Sequence, residues 1–103
     1  FEAALAERRS GQDERGEAET LAMLGAMHHM LADAGEAQRY PEAGRLYHQA
    51  LPVFRRLGDR YWEAVVLHNL GELAFAQSDP VTAREHFTRA ERIFRELNAK
   101  QAE

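Results

Sequence analysis

Apolar residues fall into helix-spaced runs along this 103-residue chain, and no stretch alternates as a strand would. The clearest stretch, Ala64 to Phe94, holds two such runs, separated by Ser78-Asp79-Pro80. Its first helix is predicted over Arg60–Gln77, with Val66, Leu67, Leu70, Leu73 and Ala74 inward. Asp79 suits an N-cap and Pro80 the first helical position. The next helix then runs to about Leu97 through Val81, Ala83, Phe87, Ala90, Ile93 and Phe94. Its outer side sets Glu85/Arg89, Glu91/Arg95 and Arg92/Glu96 at i,i+4, the pattern of a solvated face.

Upstream, a helix is predicted from about Glu14 to Ala34. Leu21, Leu24, His28 and Leu31 form one stripe, and Met23, Met27 and Met30 a second. So broad an apolar surface suits a helix packed on both flanks, and methionines at this spacing read as core. Gly35 suits its C-terminal cap. Pro41 fits the first turn of a helix carrying Leu46, Tyr47, Ala50, Val53, Phe54 and Leu57, ended by Gly58-Asp59. The stripe continues through Pro52, which predicts one kinked helix rather than two. Phe1 to Arg9 reads as the tail of a helix that begins earlier, broken off at Ser10-Gly11-Gln12-Asp13. Asn98 to Glu103 is expected to fray.

These runs repeat. Ala43, Tyr47, Ala50 and Phe54 lie over Ala83, Phe87, Ala90 and Phe94 at an offset of 40. Ala18, Leu21, Leu24 and Gly25 lie over Ala64, Leu67, Leu70 and Gly71 at 46, as do Phe1, Ala4 and Leu5 over Tyr47, Ala50 and Leu51. A fixed period in this range points to a stacked solenoid. The chain divides into 1–9, the end of a preceding unit; 14–58, a first unit; 60–97, a second; and 98–103, a tail.

Leu70-Gly71, Ala74, Ala83, Phe87 and Ala90 resemble the tetratricopeptide repeat, and Arg39 to Leu51 is similar to the second helix of its longer-period variety, found in kinesin light chains and bacterial regulators. The resemblance implies an all-α, right-handed α-α superhelix of about two and a half helical-hairpin repeats. Gly25 to Ala43 is six residues longer than Gly71 to Ala83, so the first pair has a longer helix, a longer loop or both. Leu67 stands where the repeat usually holds tryptophan, and His28 where it holds tyrosine.

By the same resemblance, the first helix of each pair lines a concave groove for a protein or peptide segment. The residues so placed are Glu19, Ala22, Ala26, His29 and Met30 in the first pair, and Val65, His68, Asn69, Glu72 and Phe75 in the second. Asn69 matches the position where chaperone-binding members hold a C-terminal carboxylate. Ala22 and Ala26 replace the partners of that clamp, which argues against an acidic C-terminus as ligand. Unpaired ends would leave Phe1, Leu5, Ile93, Phe94 and Leu97 as a self-association edge and a homodimer as the second functional reading.

Composition narrows the chemistry. With 13 basic and 17 acidic residues the net charge is −4, and scattered arginines do not make a nucleic-acid or membrane surface. The chain lacks cysteine, which removes thiolate chemistry and Cys-type zinc sites. His28, His29, His48, His68 and His86 include no i,i+4 pair, and adjacent helical residues point roughly 100° apart. A structural role for each histidine is the simpler reading, and a metal or small-ligand sensor across the groove ranks third. No nucleophile set, phosphate loop or metalloprotease motif is present. The expectation is a non-catalytic interaction module without a cofactor, within a larger cytoplasmic regulatory or scaffolding protein.

Overall fold

The computed structural model describes residues 2–102, with side chains described for 11–101. Four helices follow one another: α1 Glu2–Asp33, α2 Tyr40–Leu57, α3 Arg60–Ala76 and α4 Pro80–Ala102, with a 3-10 turn at Ala37–Arg39. No strand occurs among the described residues. α1 packs on α2 and α3 on α4 as two hairpins, joined by the contact of α2 with α3. The fold is an all-α, solenoid-like stack.

Each hairpin closes on one joint, an aromatic ring of its second helix laid on a glycine of its first. A Cβ at Gly25 would stand 2.9 Å from Tyr47 Cε1, and one at Gly71 2.6 Å from Phe87 Cε1. Alanines complete the close approach: Ala18, Ala22, Ala43, Ala50, Ala64, Ala83 and Ala90 are all buried. The core between the hairpins is Phe54, Val66, Leu67, Leu70 and Leu73. Trp62 stacks on Phe54 with ring centroids 5.4 Å apart.

Helix ends follow the local chemistry. Asp59 accepts from the Trp62 amide and Asp79 from the Thr82 amide, capping α3 and α4. After α1, α2 and α3 the chain turns through a left-handed residue: Gly35, Gly58 and Ser78. In each case the next amide returns to a carbonyl of the last turn, as Asp59 N does to Phe54 O at 2.9 Å. The six extra residues of the first pair divide evenly: three lengthen α1 beyond Gly25, and three lengthen the connection that holds the 3-10 turn. Pro52 lies inside α2, which is one helix.

Several expectations are corrected. Ser10–Asp13 does not break the chain, and α1 runs through it as a single 32-residue helix. A glycine costs a helix only about 1 kcal/mol, too little for Gly11 to break one that packs along α2. α4 likewise continues past Leu97 to Ala102. The methionine stripe is not core: Met23 and Met30 are 65% and 69% exposed. Small residues, Ala18, Ala22 and Gly25, form the buried face of α1 instead. Val81 is also exposed. Of the three expected pairs on α4, only Glu91–Arg95 forms among the described residues; Glu96 turns to Arg60 at 2.8 Å instead of Arg92.

Candidate functional site

Helical spacing gathers the α3 set onto one exposed face. Val65, His68, Glu72 and Phe75 follow at i, i+3, i+7 and i+10, with Tyr61 extending the row. Phe75 is 70% exposed, with no described cover for its ring. His68 Nε2 and Glu72 Oε1 are 2.9 Å apart, and the His68 ring tilts against Phe87 with centroids 5.3 Å apart. Asn69 sits half-buried, one position round the helix.

The α1 set is less united. Met30 and Ala26 are exposed, Glu19 is half-buried, and Ala22 is sealed in the core. Ala22 therefore supports the packing and offers no surface to a partner, whereas His68, its counterpart at offset 46, stays open. His29 is engaged locally: its Nε2 lies 3.3 Å from Asp33 Oδ2, and its ring meets Tyr40 edge-on at 6.0 Å. The Tyr40 hydroxyl donates to Asp33 Oδ1 at 2.6 Å. That hydrogen bond raises the Tyr40 phenol above its ordinary pKa, since ionisation would set two anions together.

At the predicted edge, Phe94 and Leu97 are half-buried while Ile93 points into the core. Phe1 lies outside the described residues, as does the side chain of Leu5. His68, Phe87, Ala90, Glu91, Phe94, Arg95 and Asn98 line an open cavity of about 530 Å³ there. Tyr61 meets Phe94 edge-on at 6.2 Å.

Two features escape the apolar pattern. A cleft of about 360 Å³ lies between α2 and α4 over α3, with Tyr40, His48, Asp79 and His86 around a floor of Leu70, Leu73 and Ala74. His86 Nδ1 is buried without a partner, and burial, then the charges of His48 and Arg89, hold its pKa below the ordinary imidazole value. Burial, reinforced by the Glu72 charge, also pushes the Tyr47 phenol up to about 12. The second feature is a chain of ion pairs across three helices. Buried Glu63 takes Arg55 of α2 at 3.2 Å and Arg60 of α3 at 3.0 Å, and Arg60 reaches Glu96 of α4. Opposite charges far apart in sequence carry no period, so only the Glu63–Arg60 spacing could have hinted at it. Among the described residues no group of three or more His, Asp or Glu side chains could hold a metal ion, and no helix is long and apolar enough to cross a membrane.

What this surface can do is bind: it offers rings, a thioether and hydrogen-bonding tips on a rigid helical frame. No curated protein and no solved structure gives a significant match to the chain. The family model described as the tetratricopeptide repeat matches residues 36–96, which spans α2, α3 and most of α4. With the aromatic-on-glycine joints and the consecutive hairpins, that match shows that the chain belongs to the tetratricopeptide repeat family.

Proposed function

We propose that this chain is a peptide-binding module whose contact surface is the open face of α3 together with the Met30 end of α1. Repeats of this family generally mediate protein–protein interaction and are generally not catalytic. The observation that carries the reading is the exposure of Phe75, a large ring held off the core and flanked by the His68–Glu72 pair and Asn69. An apolar anchor with hydrogen-bonding neighbours on one rigid face suits an extended or helical segment. Residues 14–58 and 60–97 serve as the two repeats that present it, within a larger cytoplasmic regulatory or scaffolding protein, and the module performs no catalysis of its own.

Selection from a displayed library of linear peptides tests this. Peptides captured by the wild-type chain are expected to lose about tenfold or more in affinity against Phe75→Ala, on the scale of an interface anchor. They should also weaken against His68→Ala. A library that yields no binders, or binders indifferent to both changes, removes the proposal.

A homodimer through the end helices is the second reading. It is favoured by the half-open ring of Phe94 and the apolar cavity around it.

A further inference from the structure

Arginines far apart in the sequence are brought together where α2 and α4 flank the first half of α3. A hollow of about 250 Å³ lies there, walled by Arg55, Arg60, Arg89 and Arg92, with buried Leu67 and Ile93 at its floor. Four guanidinium groups around so small a space repel one another unless anions stand among them. Two carboxylates do. Buried Glu63 holds Arg55 through Nε at 3.2 Å and Arg60 through Nη1 at 3.0 Å, and Glu96 takes Arg60 Nη2 at 2.8 Å. Both Nη groups of Arg55 are left without a partner among the described residues. Arg89 and Arg92 have no carboxylate within ion-pair distance among the described residues, although Glu85 and Glu96 stand four positions from them on α4.

Four cations against two carboxylates leave two positive charges in excess, in a chain whose net charge is −4. That excess complements a phosphate monoester, which carries about −1.5 to −2 at neutral pH and accepts the forked donors of arginine. The positive field extends along α4: after burial, the charges of His48, Arg89 and Arg55, against the opposing Glu85, lower the His86 pKa. The α4 wall is not the face by which a second helix meets the next hairpin. Arg89 and Arg92 match Gln49 and Pro52 of α2 at offset 40, and both of these stay exposed with α3 packed on α2.

The hollow also leads somewhere. The cleft of about 360 Å³ continues it along the same groove, one turn on, as α3 passes from Leu67 to Leu70 and α4 from Arg89 back to His86. Its floor of Leu70, Leu73 and Ala74 suits the apolar side chains of an extended segment. We propose that Arg55, Arg60, Arg89 and Arg92 form a binding site for a phosphorylated side chain, with the segment that carries it lying along the cleft toward Tyr40. Glu63 acts there as a positioning residue, fixing two of the four guanidinium groups. The site lies across α3 from Phe75, so it is separate from the proposed peptide-binding face and stands or falls without it.

Fluorescence anisotropy and nuclear magnetic resonance of the arginine Nε–Hε groups test this, with circular dichroism confirming that each variant stays helical. The probes are inorganic phosphate, a degenerate peptide pool with one fixed phosphoserine, and the same pool with serine in its place. The phosphoserine pool should bind about tenfold or more tighter than the serine pool and shift the Arg89 and Arg92 signals. Arg89→Gln and Arg92→Gln, both at exposed positions, should each weaken it about tenfold, and Phe75→Ala should leave it unchanged. Equal binding of the two pools, indifference to both arginine changes, or no binding of any probe overturns the proposal. Inorganic phosphate that binds as tightly as the phosphoserine pool overturns the role given to the cleft and leaves a bare anion site. Binding lost in Phe75→Ala but kept in the arginine variants would put the segment on the open face of α3 and overturn the site described here.

Discussion

Phe54 and Phe94 hold the same place in the two hairpins, forty residues apart, and their surroundings differ. Phe54 is fully buried, roofed by Trp62 from the following helix. Phe94 is half open, touched at its edge by Tyr61 from the helix before it. The same contrast runs through Leu70 and Leu24 on the first helices, 4% and 40% exposed. In a stacked array the burial of a residue is set by what lies next in the stack, not by the residue type or its place in its own hairpin. The α2–α3 seam is therefore enclosed from both hairpins, whereas α1 and α4 bury one face in the core and carry apolar residues such as Leu24 and Phe94 on a second, less covered one.

Truncating the paired phenylalanines gives the largest expected separation. Phe54→Ala removes a ring enclosed on all sides and should cost about 3–5 kcal/mol, enough to unfold much of a domain whose whole stability is on the order of 5–15 kcal/mol. Phe94→Ala removes a ring that packs on the core but is only partly covered, and should cost less, about 2 kcal/mol. Urea unfolding of both variants measures the difference, and equal losses would mean that the two hairpins are enclosed alike. The glycine joints come next. Gly71 has the tighter contact, yet Phe87 is half-buried and borders an open cavity into which its ring can shift. Tyr47, 1% exposed, has nowhere to go. Gly25→Ala should therefore cost about 2 kcal/mol by overpacking. Gly71→Ala, helped by the better helix propensity of alanine, should change stability by less than about 1 kcal/mol. The closer contact is the cheaper one to disturb.

Much of this architecture was legible because it is periodic. The Leu70-Gly71 to Ala90 spacing marks a hairpin joint, and both joints form where it places them. Asp79-Pro80 marks a helix start, and Asp79 caps it. What failed was inference from apolarity to burial. Met23, Met27 and Met30 share a helical face as core residues do, but burial needs an opposing surface, and no described helix covers that side of α1. Ser10–Asp13 has the composition of a break, but each of the three exits that do end a helix turns through a positive-φ residue, whereas Gly11 remains helical. In the candidate groove, position within the motif found the exposed face of α3 but put Ala22 on the surface. A side chain of one carbon is short enough to be sealed under its neighbours, and how closely they approach is not written in the spacing. The links of Glu63 to Arg55 and of Arg60 to Glu96 were invisible, being made between helices, and only the Arg60–Glu63 spacing is local.

His86 sharpens the contrast between the hairpins, since its counterpart is Leu46, 5% exposed in an apolar site. His86 leaves Nδ1 buried without a partner, which costs about 1 kcal/mol or more. Its folded-state pKa lies below the unfolded value of about 6.5, through burial and the charges of His48, Arg89 and Arg55, opposed by Glu85. As pH falls through 6.5 the unfolded chain takes up its proton first, so this group draws stability down from that pH until the folded value is reached. His86→Leu should raise stability by about 1 kcal/mol at pH 7.5 and by more at pH 5.5. Unfolding of both proteins at the two pH values reads the difference, and a gain that shrinks at the lower pH would reverse the sign argued here.

The smallest effect separates two of the helix exits. Gly58 and Ser78 both occupy left-handed backbone, at φ of 72° and 64°, and both are followed by an amide that returns to the last turn. Serine bears the cost of its Cβ in that conformation, on the order of 1–2 kcal/mol, which glycine does not. Glycine gives part of that back through the greater freedom of its unfolded chain. Ser78→Gly should therefore stabilise the second hairpin by about 0.5–1 kcal/mol and Gly58→Ser should cost a similar amount, leaving the double variant close to the wild type because the two exits share no contact. Thermal melts of the three variants resolve this, each 1 kcal/mol moving the midpoint by about 4–8 °C in a domain of this size. A double variant far from additivity would mean that the α2 and α3 exits are coupled through the seam between them.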